Sequence, residues 1–355
     1  MINSMDHEKY MRRCLDLARL GFGNTVPNPM VGAVIVYKNK IIGEGYHKKC
    51  GEPHAEVNAI NSVKDKSLLK KSTIYVNLEP CAHYGKTPPC ASLIVDIGIP
   101  NVIIGSVDTA AHVAGKGIEI LKKSGCHVAT GVLEDESREL NKRFFTFHEK
   151  NRPYIILKWA QTKDGFIDVL RTKDSPVMPT WITNNYSKSL VHKWRSEEQA
   201  ILVGTNTALQ DNPSLTTRNW RGRNPLRIVL DQHLILPESL NIFKQDAKTI
   251  VIADKSAQSR ALKYNKHLNG IKFVDYHKDF YSQLFRILIN KNIQSVIIEG
   301  GEKVLNSFIK RELWDEARIF YGDKQFIQGV RAPNIEKNVL HYDYLGTSKL
   351  TFIKK

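Results

Sequence analysis

The stretches PHAEVNAI (residues 53–60) and TIYVNLEPCAHYGKTPPC (residues 73–90) decide how the first part of the chain folds. The first stretch predicts a helix that begins near His54, and the β-branched run Thr73–Leu78 predicts a strand. A loop rich in proline and glycine follows that strand, and a second helix begins near Cys90. Helices and strands that alternate in this way are typical of an α/β fold.

The rest of the first half continues the same pattern. It predicts helices at Ser4–Leu20 and at KGIEILKKSG (116–125), strands at Val31–Tyr37, Ile41–Tyr46, Asn101–Val107 and CHVATG (126–131), and one long polar-faced helix at Glu134–Lys150. That helix should end at Asn151-Arg152-Pro153, because the residue before a proline leaves the helical region. We therefore expect a first domain at residues 1–150 and a second at 151–355.

The second half also alternates, and its strands are unusually apolar. Continuous β-branched runs indicate strands that helices cover on both faces. They are Tyr154–Ala160, Ala200–Gly204, Leu226–Asp231, Lys248–Ala253 and Ser295–Gly300. At 355 residues the chain is long enough for two hydrophobic cores, so two α/β domains are expected.

Composition restricts the kind of protein. No window approaches 18 consecutive apolar residues, which argues against a membrane span, and the N-terminus becomes charged too early for a secretory signal. We therefore expect a cytoplasmic protein, in which spaced cysteines are metal ligands or core residues more often than disulfide partners. Cys50 fits no ligand pattern and stays unassigned. The net charge of +16 favours an anionic partner, such as nucleic acid, a membrane surface or a phosphorylated small molecule, although an unspecialised basic surface is also open.

His54, Cys81 and Cys90 have the residue types and the order of a zinc site. One histidine and two thiolates can hold zinc as a Lewis acid that activates water near neutral pH. Glu56 lies two residues after His54, so it can move protons without occupying the metal. A histidine, a glutamate and two cysteines in this order are the signature of a zinc-dependent deaminase.

The two cysteines are separated by eight residues instead of the common two. This spacing places Lys86 and Thr87 beside the metal, where they suit an anionic substrate group. The stretches GFGNTVPNPMVGAVIV (21–36), GYHKKCGEPHAE (45–56) and EPCAHYGKTPPC (79–90) resemble the bifunctional deaminase/reductase family of riboflavin biosynthesis.

This resemblance implies a cytidine-deaminase-like three-layer domain that removes the C2 amino group of a diaminopyrimidinone ribosylamino phosphate. His54, Cys81 and Cys90 would hold Zn²⁺, and Glu56 would be the catalytic general acid and base. The substrate pocket would be lined by Asn28, His47, Lys86, Thr87 and Asp108. One alternative stays open, because Asn28 can be a plain Asn-Pro turn residue. The sequence also departs from the family at Ala110, where a polar contact is expected.

Glu299-Gly300-Gly301 ends an apolar strand of the second half and opens a helix. Paired glycines at such a junction allow backbone N–H groups to approach a pyrophosphate, although a glycine turn without a ligand is an equal alternative. No G-x-G-x-x-G follows a strand, so the usual dinucleotide fingerprint is missing. The runs KWAQTKDG (158–165), WIT (181–183), HKWRSEEQAILVGTNTALQDNPSLTTR (192–218) and IIEGG (297–301) resemble the reductase half of the same family.

That resemblance implies a dihydrofolate-reductase-like α/β domain in which NADPH reduces a ring-opened ribose. The cofactor would contact Ala160, Trp181, Thr207, Asp211, Gly300, Gly301 and Glu302. The substrate would contact Lys158, Arg195, Leu215, Arg218 and Glu299. Arg195 and Arg218 suit phosphate because a guanidinium binds it with two parallel hydrogen bonds, although surface arginines are common in so basic a chain. Trp181 can instead be a core aromatic, and Pro179 stands where the family often has serine, so Thr180 or a backbone group would substitute.

The expected partner is a phosphorylated small-molecule pyrimidine, with no nucleic acid and no membrane. The resemblance also implies a homo-oligomer. A different function remains open, namely a nucleic-acid deaminase acting on tRNA whose C-terminal half is a binding domain. The charge of +16 favours it, whereas the long cysteine spacing and the lack of interleaved aromatic and basic residues oppose it.

Overall fold

The computed structural model describes residues 4–84, 88–109, 114–172, 174–263, 270–336 and 339–355. The chain divides into two compact units, Met1–Asn151 and Arg152–Lys355. Within the described residues, no helix combines the length and the apolar character that a membrane span requires.

The first unit contains six helices and five strands among its described residues. They are α1 (Ser4–Arg19), β1 (Gly32–Tyr37), β2 (Lys40–Tyr46), α2 (Ala55–Ser62), β3 (Thr73–Leu78), α3 (Cys90–Ile97), β4 (Asn101–Ser106), α4 (Lys116–Lys123), β5 (His127–Thr130), α5 (Glu134–Leu140) and α6 (Lys142–Lys150), with a 3₁₀ turn at Lys66–Lys71.

These strands form one sheet in the order β2-β1-β3-β4-β5. β1 runs antiparallel to β2 and β3, whereas β3, β4 and β5 are parallel. Alternate residues of β1 face opposite sides: Val34 and Val36 pack in the cluster of α1, and Ala33 and Ile35 pack in the cluster of α2, α3 and α4. Helices therefore cover both faces, which confirms the three-layer α/β prediction.

The prediction of one long helix at Glu134–Lys150 is wrong. The helix is interrupted at Asn141, which has φ −102° and ψ 24° and joins α5 to α6. The buried Asn141 amide forms two hydrogen bonds with the Met30 backbone: Oδ1 accepts the N–H at 2.8 Å, and Nδ2 donates to the carbonyl at 2.9 Å. Asparagine side chains that bond to backbone groups compete with a continuous helix, and here the bond fixes the loop that follows Asn28.

The second unit contains four helices and eleven strands among its described residues. They are β6 (Tyr154–Gln161), β7 (Phe166–Asp168), α7 (Asn185–Glu197), β8 (Ala200–Gly204), α8 (Thr205–Asp211), β9 (Leu226–Leu230), β10 (Thr249–Asp254), β11 (Ile271–Val274), α9 (Phe280–Ile289), β12 (Ser295–Ile298), α10 (Glu302–Lys310), β13 (Glu316–Tyr321), β14 (Val330–Arg331), β15 (Val339–Leu345) and β16 (Ser348–Lys354), with 3₁₀ turns at Asn241–Phe243 and Lys255–Lys263.

Nine of these strands form one sheet, in the order β11-β10-β9-β8-β12-β6-β13-β16-β15. The strands from β11 to β13 are parallel, and β16 and β15 are added antiparallel. All five strands that the sequence predicts in this half are present within one or two residues of their predicted ends. Because parallel strands place their carboxyl ends at one edge, the loops that follow them meet there and can form a binding site.

Candidate active sites

His54, Cys81 and Cys90 come together at the carboxyl end of β3. His54 precedes α2, Cys81 follows β3, and Cys90 is the first residue of α3. His54 Nδ1 lies 3.6 Å from Cys81 Sγ and 3.4 Å from Cys90 Sγ, and the three donor atoms lie within 4.8 Å of one another. Tetrahedral zinc with ordinary bond lengths requires a nitrogen–sulfur separation of about 3.6 Å. The geometry and the donor types therefore both fit zinc.

The charges of this cluster also suit a divalent cation. Hydrogen bonding to the Cys90 thiol lowers the pKa of Cys81, while the same bond and burial raise the pKa of Cys90. The backbone N–H of Cys90, at the start of α3, also donates to Cys81 Sγ at 3.3 Å. The hydrogen bond to Cys81 raises the pKa of His54. The cluster thus favours a thiolate at Cys81, which is the form that ligates metal.

Glu56 is buried on the first turn of α2 beside this cluster. Its Oε2 atom has no hydrogen-bond partner among the described residues. Burial, together with the negative charge at Cys81, raises the pKa of Glu56 to about 7. A carboxyl group with such a pKa can both accept and donate a proton near neutral pH.

Asn28 and His47 form a pair beside His54, one of the candidate metal ligands. Asn28 Nδ2 is 3.1 Å from His47 Nε2, and His47 Nδ1 is 3.2 Å from the Pro53 carbonyl. The His47 and His54 rings meet edge to face with centroids 5.2 Å apart. Burial lowers the pKa of His47, so the neutral imidazole is favoured. Lys86, Thr87 and Ala110 lie outside the described residues.

Glu79 also belongs to this site and was not identified from the sequence. Its buried carboxylate accepts four backbone N–H groups, at 2.9–3.2 Å, from Asp108, Gly115, Gly117 and Ile118. Asp108 is thereby held at the carboxyl end of β4, beside the end of β3. The available signal was an acidic residue directly before Pro80-Cys81, immediately after the strand-forming run Thr73–Leu78.

The second unit has a cavity of about 850 Å³ at the carboxyl ends of its parallel strands. Residues after β6, β8, β9 and β12 all contribute to its walls. Seven of the predicted cofactor and substrate residues line it: Lys158, Ala160, Thr207, Asp211, Glu299, Gly301 and Glu302. Gly301 has φ +50°, a backbone conformation that is strained for a residue with a side chain. A Cβ atom at this position would also lie 3.3 Å from Thr207 Oγ1 in the cavity wall.

Three other predicted residues lie elsewhere. Trp181 is 47% exposed, with Lys188 Nζ 3.7 Å from its ring centroid, so the core alternative for this residue is wrong. Gly300 packs against β8, since a Cβ there would lie 2.7 Å from Val203 Cα. Leu215 has a buried side chain and φ +53°, which leaves only its backbone for a ligand contact.

A cluster of opposite charges surrounds Glu299 at the end of β12. Arg195 donates from Nε and Nη2 to the two carboxylate oxygens at 3.1 and 2.7 Å, and Lys158 Nζ lies 3.7 Å away. Burial would raise the pKa of Glu299, but these two cations lower it to about 2. Burial also lowers the pKa of Lys158. The carboxylate is therefore ionised at every physiological pH.

His192, one turn before Arg195 on α7, completes this cluster and was not identified from the sequence. Its Nδ1 accepts the backbone N–H of Arg218 at 3.1 Å. Burial and the charges of Arg195 and Arg218 lower its pKa to about 4, so it is neutral near pH 7. Arg218 is exposed and donates from Nη1 to Thr216 Oγ1 at 3.1 Å. The signal that could have been used is the spacing of three residues between His192 and Arg195, which places both on one helix face.

Matches to protein families agree with this division of the chain. Residues 4–106 match the cytidine and deoxycytidylate deaminase zinc-binding region, and residues 153–326 match the RibD C-terminal domain. The riboflavin biosynthesis protein RibD of Bacillus amyloliquefaciens is 41% identical over 331 residues, which cover 92% of this chain and 87% of that protein. RibD of Escherichia coli is 33% identical over 351 residues, covering 94% and 93%. The chain belongs to the RibD family.

A solved RibD structure shows the same fold over nearly the whole length. The diaminohydroxyphosphoribosylaminopyrimidine deaminase/5-amino-6-(5-phosphoribosylamino)uracil reductase of Thermotoga maritima is 34% identical, with a TM-score of 0.86 and coverage of 99% of both chains. Membership in the RibD family confirms a riboflavin-biosynthesis enzyme with deaminase and reductase activities, and it confirms Zn²⁺ and NADPH as cofactors. The tRNA-deaminase alternative is not favoured.

Proposed function

We propose that the two units catalyse consecutive steps on one phosphorylated pyrimidine. The first unit would deaminate the diaminohydroxyphosphoribosylaminopyrimidine, and the second would reduce the resulting 5-amino-6-(5-phosphoribosylamino)uracil, as the name of the Thermotoga relative describes for that protein. The observation that carries this proposal is the group of His54, Cys81 and Cys90, whose donor atoms lie within 4.8 Å of one another, beside the buried Glu56.

We assign the metal ligands to His54, Cys81 and Cys90, and the proton transfers of deamination to Glu56. Zinc held by these ligands would supply Lewis-acid activation of water. Hydrolytic deamination adds the oxygen of water to the pyrimidine carbon and releases ammonia. Glu56 can take a proton from the attacking water and deliver it to the departing amine, because it is buried beside the three candidate ligands and is not one of them. Asn28 and His47 would orient the pyrimidine ring, with Asp108, Lys86 and Thr87 as further substrate contacts.

In the second unit, we assign the 850 Å³ cavity to NADPH and the charge cluster at its end to the substrate. NADPH supplies the hydride in this reaction. Lys158 and Glu299 line the cavity and belong to the cluster, so they are placed where cofactor and substrate would meet. Because Arg195 is already paired with Glu299, the exposed Arg218 is the better candidate to bind the substrate phosphate.

We also propose that the chain acts as a homo-oligomer in the cytoplasm. β15 is the edge strand of the large sheet, and it exposes Val339, Leu340, Tyr342 and Tyr344. An exposed apolar edge strand is suited to pair with a second copy of itself. A reducing compartment suits the two cysteine ligands, since oxidation would remove their thiolates. Light scattering of the purified protein tests the oligomer, and a monomeric mass would contradict it.

A two-stage assay tests the proposed function. The purified, zinc-loaded protein is first given the diaminopyrimidine phosphate alone, and released ammonia is measured. NADPH is then added, and its oxidation is followed by absorbance. Ammonia in the first stage and NADPH oxidation in the second are expected. Ammonia without NADPH oxidation would contradict the reductase assignment. NADPH oxidation in a sample whose first stage released no ammonia would contradict the order of the steps.

A further inference from the structure

Arg171 lies just after β7 and uses its whole guanidinium group within the protein. Its side chain is 8% exposed. Nε and Nη2 donate to the two oxygens of Asp168 at 2.8 and 3.1 Å, and Nη2 also donates to Thr180 and Asp211, both at 3.1 Å. Nη1 donates to three carbonyl groups at 2.9–3.2 Å, those of Pro176, Met178 and Gln210. One side chain thus joins three segments of the second unit.

The groups that Arg171 joins form one wall of the cofactor cavity. Asp168, Thr180, Gln210 and Asp211 all line the cavity, together with Pro179. Thr180 also donates its hydroxyl to Asp168, so the two side chains are fixed to each other as well. Asp211 lies 40 residues further along the chain than Arg171, at the end of α8. The wall therefore depends on a tertiary contact and not on local chain geometry.

Arg171 also balances the charge of this wall. Asp168 and Asp211 are two carboxylates that face one guanidinium. Burial raises the pKa of Asp211 to about 6, Asp168 adds to the rise, and Arg171 opposes it. Two neighbouring carboxylates would repel the phosphates of a cofactor, whereas their oxygens accept hydrogen bonds from hydroxyl groups. The wall therefore suits a ribose and not a phosphate.

We propose that Arg171 is a positioning residue of the reductase, which holds Asp168, Thr180 and Asp211 as the wall that receives a ribose of NADPH. The inference rests on the proposed reductase activity and names a part of its cofactor site. Arg171 itself would not touch the cofactor, because its donors are already used by the protein. A lysine could keep the charge, but its single ammonium cannot reproduce the planar set of hydrogen bonds to three segments.

The Arg171→Lys variant tests this proposal against a matched control, Arg152→Lys. Arg152 is also a largely buried arginine with two hydrogen bonds to one carboxylate, that of Asp315, and it does not line the cavity. The dissociation constant of NADPH is measured by quenching of tryptophan fluorescence, since all five tryptophans lie in the second unit. Steady-state kinetics and unfolding midpoints in urea are measured for the same proteins.

We expect Arg171→Lys to weaken NADPH binding about tenfold or more, as the loss of hydrogen bonds to charged groups requires. The KM for the pyrimidine substrate and the rate of ammonia release should stay close to those of the parent. Arg152→Lys should lower the unfolding midpoint and leave NADPH binding unchanged. Guanidinium ion added at millimolar concentration to Arg171→Ala should restore part of the lost NADPH affinity, whereas it should leave the NADPH affinity of Arg152→Ala unchanged.

The proposal is overturned if Arg171→Lys lowers the unfolding midpoint like Arg152→Lys and binds NADPH as the parent does. It is also overturned if the KM of the pyrimidine rises as much as that of NADPH, because the cofactor wall would then not be the part affected. A parent protein that binds NADPH without oxidising it would contradict the proposed reductase activity. The proposal for Arg171 would then still be decided by comparing the NADPH dissociation constants of the parent and of Arg171→Lys. A parent that binds no NADPH would remove both assignments.

Discussion

The two sites use the same pair of residue types, glutamate and histidine, with opposite electrostatic effects. In the deaminase site, burial and the Cys81 charge raise the pKa of Glu56 to about 7, and the hydrogen bond to Cys81 raises the pKa of His54. In the reductase site, arginine and lysine lower the pKa of Glu299 to about 2, and burial together with two arginines lowers that of His192 to about 4. These directions agree with the roles proposed above, which are a cation and proton transfer in the first site and an anionic substrate in the second.

The largest expected effect is that of Glu56→Gln. Glutamine keeps the size of the side chain but cannot move protons, so ammonia release should fall by about 10²- to 10⁴-fold. Zinc content, measured by elemental analysis, should be unchanged because Glu56 is not one of the three metal-ligand candidates. NADPH oxidation by the same chain, supplied with the deaminated substrate, is the internal control. Unchanged ammonia release would remove Glu56 from the mechanism.

Glu299→Gln should have the next largest effect. It changes the site in which neighbouring cations lower the pKa of the glutamate, whereas the pKa of Glu56 is raised. The substitution leaves the largely buried Arg195 and Lys158 without their carboxylate. Breaking such a buried pair costs about 3–5 kcal/mol. We expect a lower urea midpoint by tryptophan fluorescence and a strongly reduced rate of NADPH oxidation. The control is Glu312→Gln, whose side chain is 67% exposed beside Lys355. Equal unfolding midpoints for the two variants would show that the Glu299 cluster does not stabilise the fold.

The sequence predicts more of the first site than of the second, and the reason is physical. Zinc ligands must be of particular residue types, so the candidates His54, Cys81 and Cys90 could be predicted from residue type and order along the chain. The Arg195–Glu299 pair joins residues 104 positions apart, and only the folded sheet shows it. His192 and Arg171 were missed because their roles come from neighbours in space. The helix break at Asn141 was missed because a contact with Met30, 111 residues earlier, overrides the local helical pattern.

Arg218→Ala should have a smaller and more selective effect. If the exposed guanidinium binds the substrate phosphate, its loss should raise the reductase KM for that substrate about 10- to 100-fold, as expected for charge-assisted hydrogen bonds. The KM of the dephosphorylated substrate should not change. Arg221→Ala, an exposed arginine of the same loop, serves as the matched control. A similar rise in KM for both substrates, or for both variants, would show that Arg218 does not recognise the phosphate.

The smallest expected effect concerns the pH dependence of stability through His192. Its pKa is 6.5 in an ordinary environment and about 4 in the fold, so the unfolded chain binds more protons between these pH values. The contribution of His192 to the free energy of unfolding should therefore be fully present above pH 6.5 and should be lost as the pH falls towards 4. His192→Gln can still accept the Arg218 N–H but cannot be protonated. The urea midpoint of the second unit, followed by tryptophan fluorescence, should fall less between pH 7 and pH 5 in this variant than in the parent. Equal decreases would mean that the arginines do not keep His192 neutral in the fold, and the electrostatic contrast with His54 would then be lost.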